Sequence, residues 1–150
     1  MRRLLVFEDE PYNYVNDLFH MHLHDQLDEL GVDIDQAINV RDFERKVTTV
    51  KRDVLVLDIM ALAPEGFCWT LTGSEVPDAL VGVELLHRCR VGLYGSHYKG
   101  IPIYMRTARG EADVRSYCRE AGASDCFDPG ADDMKLIEKI KDMFAVSTTV

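Results

Sequence analysis

Short apolar runs that stop abruptly on acids set the pattern of this chain. Residues 3–7, RLLVF, run into Glu8, Asp9, Glu10 and Pro11, and residues 53–60, DVLVLDIM, carry a single acid, Asp58, near their end. Apolar residues at consecutive positions belong to strands buried on both faces, as in a parallel sheet. Between such runs the period changes. From Tyr12 to Leu30, Tyr14, Leu18, Met21, Leu27 and Leu30 recur at roughly helical spacing, and Gly31 supplies a stop. VDIDQAI at 32–38 alternates as a strand does, and Val40, Phe43, Val47 and Val50 then mark one helical face. After the strand at 53–60 comes an irregular stretch, about 61–79, longer than most connections in a compact domain. LVGVELLHRCRVG resumes the helical period, IPIYM reads as a strand, EADVRSYCREAG as a helix and SDCF as a short strand. ADDMKLIEKIKDMF closes the series as an amphipathic helix with Leu136, Ile137, Ile140 and Phe144 inward.

Five strands alternating with five helices predict an α/β fold, a doubly wound parallel sheet covered on both faces. One domain over 1–150 is expected, with an inserted loop at about 61–79 and a short polar tail at 145–150. Composition fits that picture. An apolar fraction of 47% with 29% charged residues belongs to a globular chain. The net charge of −9 disfavours a reader of nucleic-acid backbones, which would need clustered Lys and Arg. No run of about 18 apolar residues is present for a bilayer span, and acids interrupt the first apolar run too soon for a signal peptide, so a cytoplasmic location is expected. Cys68, Cys89, Cys118 and Cys126 lack paired C-x-x-C spacing and read as reduced thiols.

In open α/β sheets, sites gather beyond the carboxyl ends of the strands. Those ends carry Glu8, Asp9 and Glu10, then Asp58, then Thr107, then Asp128. Carboxylates brought together repel unless a proton or cation joins them, and a hard divalent ion with oxygen ligands, Mg²⁺ above all, is the natural partner. The same acids could equally be strand-end caps. The chain lacks a readable Ser-His-Asp or Cys-His arrangement. His20 and His24 lie one helical turn apart but have no evident third ligand.

LLVFEDEP at 4–11, DVLVLDIM at 53–60, GVELLHRCR at 82–90 and IPIYMRTARGEADVRSYCREAGASD at 101–125 resemble the receiver domain of two-component response regulators, over roughly residues 3–144. The resemblance implies a flavodoxin-like receiver fold with strand order 2-1-3-4-5. It also implies Mg²⁺, or Mn²⁺ in its place, held by Glu8, Asp9, Asp58 and the backbone carbonyl of Met60. Asp58 would accept a phosphoryl group from a histidine kinase or phosphotransfer protein, and Thr107 would hydrogen-bond that group. Such a domain is a signalling switch and not an enzyme in the usual sense. It would act through contact with a downstream protein or as a homodimer, without nucleic acid or membrane. A DxD phosphatase on a similar sheet would need an acid at position 60, where Met60 stands.

Three departures from the pattern stand out. The family has a lysine at the end of the fifth strand; this chain offers Asp128 or Pro129 there, depending on register. Asp128 reads as a turn or cap residue, or as an extra metal ligand, with Arg109 or another cation needed to offset it. The aromatic residue the family keeps in the fifth strand is replaced by Cys126 or Asp125, with Phe127 expected in the core. The insertion after Asp58 carries Phe67, Trp69 and Leu71, which must pack either on the domain itself or on a partner. These departures keep open a second reading: a receiver-derived interaction module that works without phosphorylation.

Overall fold

The computed structural model describes residues 2–9, 14–59, 61–70, 80–107 and 112–146. The elements run β1 (Arg2–Phe7), α1 (Tyr14–Leu27), β2 (Val32–Ala37), α2 (Val40–Thr49), β3 (Val54–Asp58), α3 (Val81–Arg90), β4 (Ile103–Arg106), α4 (Ala112–Ala121), β5 (Asp125–Phe127) and α5 (Asp133–Val146). All strand pairs are parallel, in the order β2-β1-β3-β4-β5. That is the doubly wound sheet predicted from the alternation, and the order expected of a flavodoxin-like receiver fold.

The consecutive apolar residues of the central strands feed two cores. Leu4, Val6, Val54, Val56, Tyr104 and Phe127 point to one side and meet Phe19, Leu23 and Leu27 of α1 and Leu136, Ile137, Ile140 and Phe144 of α5. Leu5, Phe7, Leu55, Leu57, Ile103 and Met105 point to the other side, into the core completed by α2, α3 and α4. Strand periodicity of two thus becomes a two-sided sheet.

Local signals explain several element boundaries. At the start of α2, Asn39 Oδ1 accepts from the Asp42 N–H at 2.8 Å while Asp42 Oδ2 accepts from the Ile38 N–H at 3.2 Å, a reciprocal cap. α1 passes through one 3₁₀ turn and stops at Gly31, whose φ of +68° suits glycine. The predicted apolar face of α1 is corrected. Its buried residues are Asn16, Phe19, Leu23 and Leu27, whereas Tyr14 and Met21 face solvent. Apolar residues on the exposed face, Tyr14 and Met21, blur the stripe in an apolar count, and Asn16, a polar member of it, is missed altogether. α5 buries the four residues predicted and continues to Val146, two residues into the expected tail. Among the described residues, no helix is long and apolar enough to cross a membrane.

Candidate functional site

The carboxyl edge of the sheet is assembled by register. Phe7 lies opposite Leu57, Asp58 opposite Arg106, and Arg106 opposite Phe127. Glu8 extends β1, its N–H donating to the Ala37 carbonyl at 2.9 Å. Following the alternation, Glu8, Asp58 and Arg106 fall in phase with Val6, Val56 and Tyr104, on the α1/α5 side. Thr107 is fixed at the end of β4, where its N–H donates to the Phe127 carbonyl at 3.0 Å, and it is buried. Asp58 remains partly exposed. The fold therefore gathers Glu8, Asp9, Asp58 and Thr107 at one end, while Glu10, Met60 and Arg109 lie outside the described residues.

Glu8 is buried at 2% exposure and engaged on both oxygens: Arg106 Nη1 lies 3.3 Å from Oε1, and His20 Nε2 lies 3.0 Å from Oε2. Arg106, 4% exposed, is the residue that the sequence reading missed. Its Nε and Nη2 donate to the two carboxylate oxygens of Asp133 at 2.9 and 3.1 Å, Nη1 donates to Asn16 Oδ1 at 2.5 Å, and the guanidinium lies 4.3 Å above the Phe19 ring centroid. An arginine placed directly between the apolar run IPIYM and Thr107 was the available signal. A charge at the end of a buried parallel strand demands a partner.

Asp9 is partly exposed, and its Oδ2 accepts from the Leu62 N–H at 2.7 Å. The insertion therefore touches the site at its root. His20 and His24 part company: His20 turns to Glu8, while His24 Nδ1 lies 3.9 Å from Asp28 Oδ1. No group of three or more His, Cys, Asp or Glu arranged to hold a metal occurs among the described residues.

At the end of β5, the Asp128 carbonyl accepts from the Asp132 N–H at 2.9 Å, and the Asp128 N–H donates to Asp132 Oδ2 at 3.0 Å. Asp133 Oδ2 also accepts from the Gly130 N–H at 2.9 Å. Asp128 thus starts the turn into α5, and the Asp132 and Asp133 carboxylates fasten that turn. The Asp128 carboxylate lies 3.7 Å from Arg115 Nη2 of α4. Phe127 is core, edge-on to Tyr104 at 5.9 Å between centroids. On the other side of β5, the neighbouring Cys126, and then burial, push the Cys118 thiol up, while Cys118 draws Cys126 down. All four cysteines are free.

The described part of the insertion, 61–70, packs back on the domain. Glu84 of α3, with 0% exposure, accepts from the Thr70 N–H and hydroxyl, each at 2.6 Å, and from Arg88 Nε at 2.9 Å. Arg88 also donates from Nη1 to Glu44 Oε2 at 3.0 Å and from Nη2 to the Cys68 carbonyl, and it sits 4.5 Å over the Phe67 ring. The Tyr94 hydroxyl donates to the same Glu44 oxygen at 2.6 Å; burial, then this bond, push Tyr94 above its ordinary range. Phe67 and Trp69 meet edge to face at 5.0 Å. Leu71 lies outside the described residues.

At the other end of the insertion, α3 sits hard against β3. Gly82 donates its N–H to the Ile59 carbonyl at 3.0 Å, and a Cβ there would overlap the Asp58 carbonyl oxygen and lie 2.6 Å from Ile59 Cα. These neighbours are backbone and cannot rotate away. Gly82→Ala is expected to destabilise the domain by about 1–3 kcal/mol and to displace Asp58. Urea unfolding checks this, and parental stability would show that α3 can shift freely.

No family model and no curated protein matches the chain. Solved structures do. A signal receiver domain of a DNA-binding response regulator from Colwellia psychrerythraea 34H superposes with a TM-score of 0.69 at 23% identity, over 95% of this chain and 98% of that one. The beryllofluoride-activated NtrC4 receiver domain, a dimer, gives 0.63 at 20% identity over 96% and 99%. The receiver domain of a sensor histidine kinase from Pseudomonas aeruginosa PAO1, described with magnesium coordinated in its active-site cleft, gives 0.61 at 16% identity over 95% and 96%. At these identities the likeness establishes the fold: this chain has the receiver fold along nearly its whole length.

Proposed function

We propose that the chain is a receiver-type signalling switch whose phosphoryl acceptor is Asp58. One observation carries the reading: Asp58 is a partly exposed acid at the carboxyl end of the central strand, with buried Arg106 beside it in register and Thr107 next along β4. In the reaction, an Asp58 oxygen attacks phosphorus in line. The bond from phosphorus to the donor, a histidine nitrogen of a kinase or phosphotransfer protein, breaks as the aspartyl phosphate forms, and the nitrogen keeps the electron pair. Such a transfer needs positioning and charge compensation more than acid or base help. Thr107 offers a hydroxyl that can rotate toward the phosphoryl oxygens.

Among the acids named by the sequence, Asp9 and Asp58 have the donor chemistry that a divalent ion takes. Their donors are hard oxygens, both are partly exposed, and Mg²⁺ is commonly held by one or two carboxylates plus phosphate oxygens while keeping several waters. When bound there, Mg²⁺ or Mn²⁺ would supply charge neutralisation. Asp9 keeps lone pairs beyond the one directed at Leu62. The output is a protein contact, with a downstream protein or a second copy.

The engagement of Glu8 by Arg106 and His20 favours a second reading, an interaction module independent of phosphorylation. Beryllofluoride, a mimic of the aspartyl phosphate, separates the two when added with Mg²⁺ and followed through Trp69 fluorescence. The switch reading expects a saturable response that Asp58→Asn abolishes. A parent chain that responds to neither beryllofluoride nor a small-molecule phosphodonor would leave the interaction module as the better account.

A further inference from the structure

We infer that Arg106 withdraws Glu8 from cation binding, so that a divalent ion is held by Asp9 and Asp58 without Glu8. The inference rests on the reading of this edge as a phosphoryl-acceptor site.

Three observations carry it. Glu8 spends one oxygen on Arg106 and the other on His20 at 2% exposure, so an ion that keeps its waters has little access to it. Arg106 cannot readily let go. Asp133 grips it through two parallel hydrogen bonds, Asn16 takes a third, and Phe19 covers one face of the guanidinium. Finally, Arg106 is the direct register neighbour of Asp58, on the same side of the sheet. The usual place for a cation, at the end of β5, holds Asp128, whose Oδ1 lies 3.7 Å from Arg115 Nη2 of α4 without a hydrogen bond. The buried guanidinium on β4 is thus neutralised by Glu8 and Asp133, and Glu8 is held on the α1/α5 side in the process.

The test is calorimetric titration of Mg²⁺ into the full chain at fixed pH, comparing the parent with Glu8→Gln and Asp9→Asn. The amide oxygen introduced by Glu8→Gln can still accept from Arg106, so the fold is retained. The expected result is that Glu8→Gln changes Mg²⁺ affinity by less than about twofold, whereas Asp9→Asn weakens it by about tenfold or more, the loss typical of damage to a metal's ligand shell. The paired variant Arg106→Met with Asp133→Asn removes the cation and one of its carboxylates together. It should bind Mg²⁺ about tenfold more tightly and acquire a dependence on Glu8, as a freed ligand would confer. A loss on Glu8→Gln comparable to that on Asp9→Asn overturns the inference, as does a folded paired variant with unchanged affinity. Absence of Mg²⁺ binding in the parent also overturns it. Should the paired variant fail to fold, the comparison of the two single variants decides. Phosphoryl transfer to Asp58 from a small-molecule phosphodonor, read by intact mass, is a separate measurement. Acceptance together with Glu8-dependent Mg²⁺ binding would refute the inference and leave the acceptor reading standing; Glu8-independent binding without acceptance would do the reverse.

Discussion

Arg106→Ala should cost the domain about 3–5 kcal/mol of stability, the range found when one member of a buried charge group is removed. The reason lies in what remains. Glu8 and Asp133 are nearly sealed from water and would face each other across the vacated space, with His20 beside Glu8 and the Gly130 N–H still on Asp133. Repulsion between them adds to their desolvation. Asn16 would lose the donor that justifies burying an amide on α1, and Phe19 would lose the plane stacked on it. Arg106→Lys should recover only part of the loss, because an ammonium cannot reproduce two parallel bonds to Asp133 while also reaching Glu8. Urea unfolding at neutral pH measures both variants. A loss under about 1 kcal/mol for Arg106→Ala would mean that the acids rehydrate easily and that this edge is far looser than a buried charge group should be.

Glu84→Ala is expected to cost about 3 kcal/mol, at the lower end of the same range, because Arg88 retains Glu44 and the Cys68 carbonyl. The more telling effect is local. Glu84 is the sole fully buried acid shown gripping the described part of the insertion, through the Thr70 N–H and hydroxyl. Without it, Phe67 and Trp69 lose the framework that holds them against α3. Since Trp69 is the only tryptophan, its emission should shift to the red and become more easily quenched. Glu84→Gln keeps an acceptor for Thr70 and should leave the emission near that of the parent. If Trp69 is unmoved in Glu84→Ala, Arg88 and apolar contact hold the aromatic pair without Glu84.

Elements whose identity depends on local pattern were legible in the sequence. The runs at 3–7 and 53–60 could hardly be anything but strands buried on both faces, and Leu136, Ile137, Ile140 and Phe144 define the buried stripe of α5 by spacing alone. Asp9, Asp58 and Thr107 could be assigned to strand ends for the same reason. What escaped reading depends on pairing across distance. Arg106 is buried because Glu8 and Asn16, near the start of the chain, and Asp133, beginning the last helix, converge on it. No periodicity reports such a partnership. The apolar count on α1 failed at Asn16 for the same reason, since an amide satisfied by a distant guanidinium enters the core unannounced. Glu84 sits in the recognisable stretch GVELL, yet its burial follows from Thr70 and Arg88, which only the folded insertion brings to it.

The hydrogen bond from Gly82 to the Ile59 carbonyl closes the base of the insertion, so that chain added beyond its docked part, 61–70, carries little closure cost. Once two ends are pinned, halving or doubling the intervening chain alters its closure entropy by only about 0.6 kcal/mol. The sheet edge beneath would hardly register a graft added after Thr70, which leaves the contacts to Asp9, Glu84 and Arg88 in place. Tolerance of that kind makes the junction after β3 a place where the lineage could try new surface without renegotiating the core, and where an engineered peptide could be carried on the receiver fold.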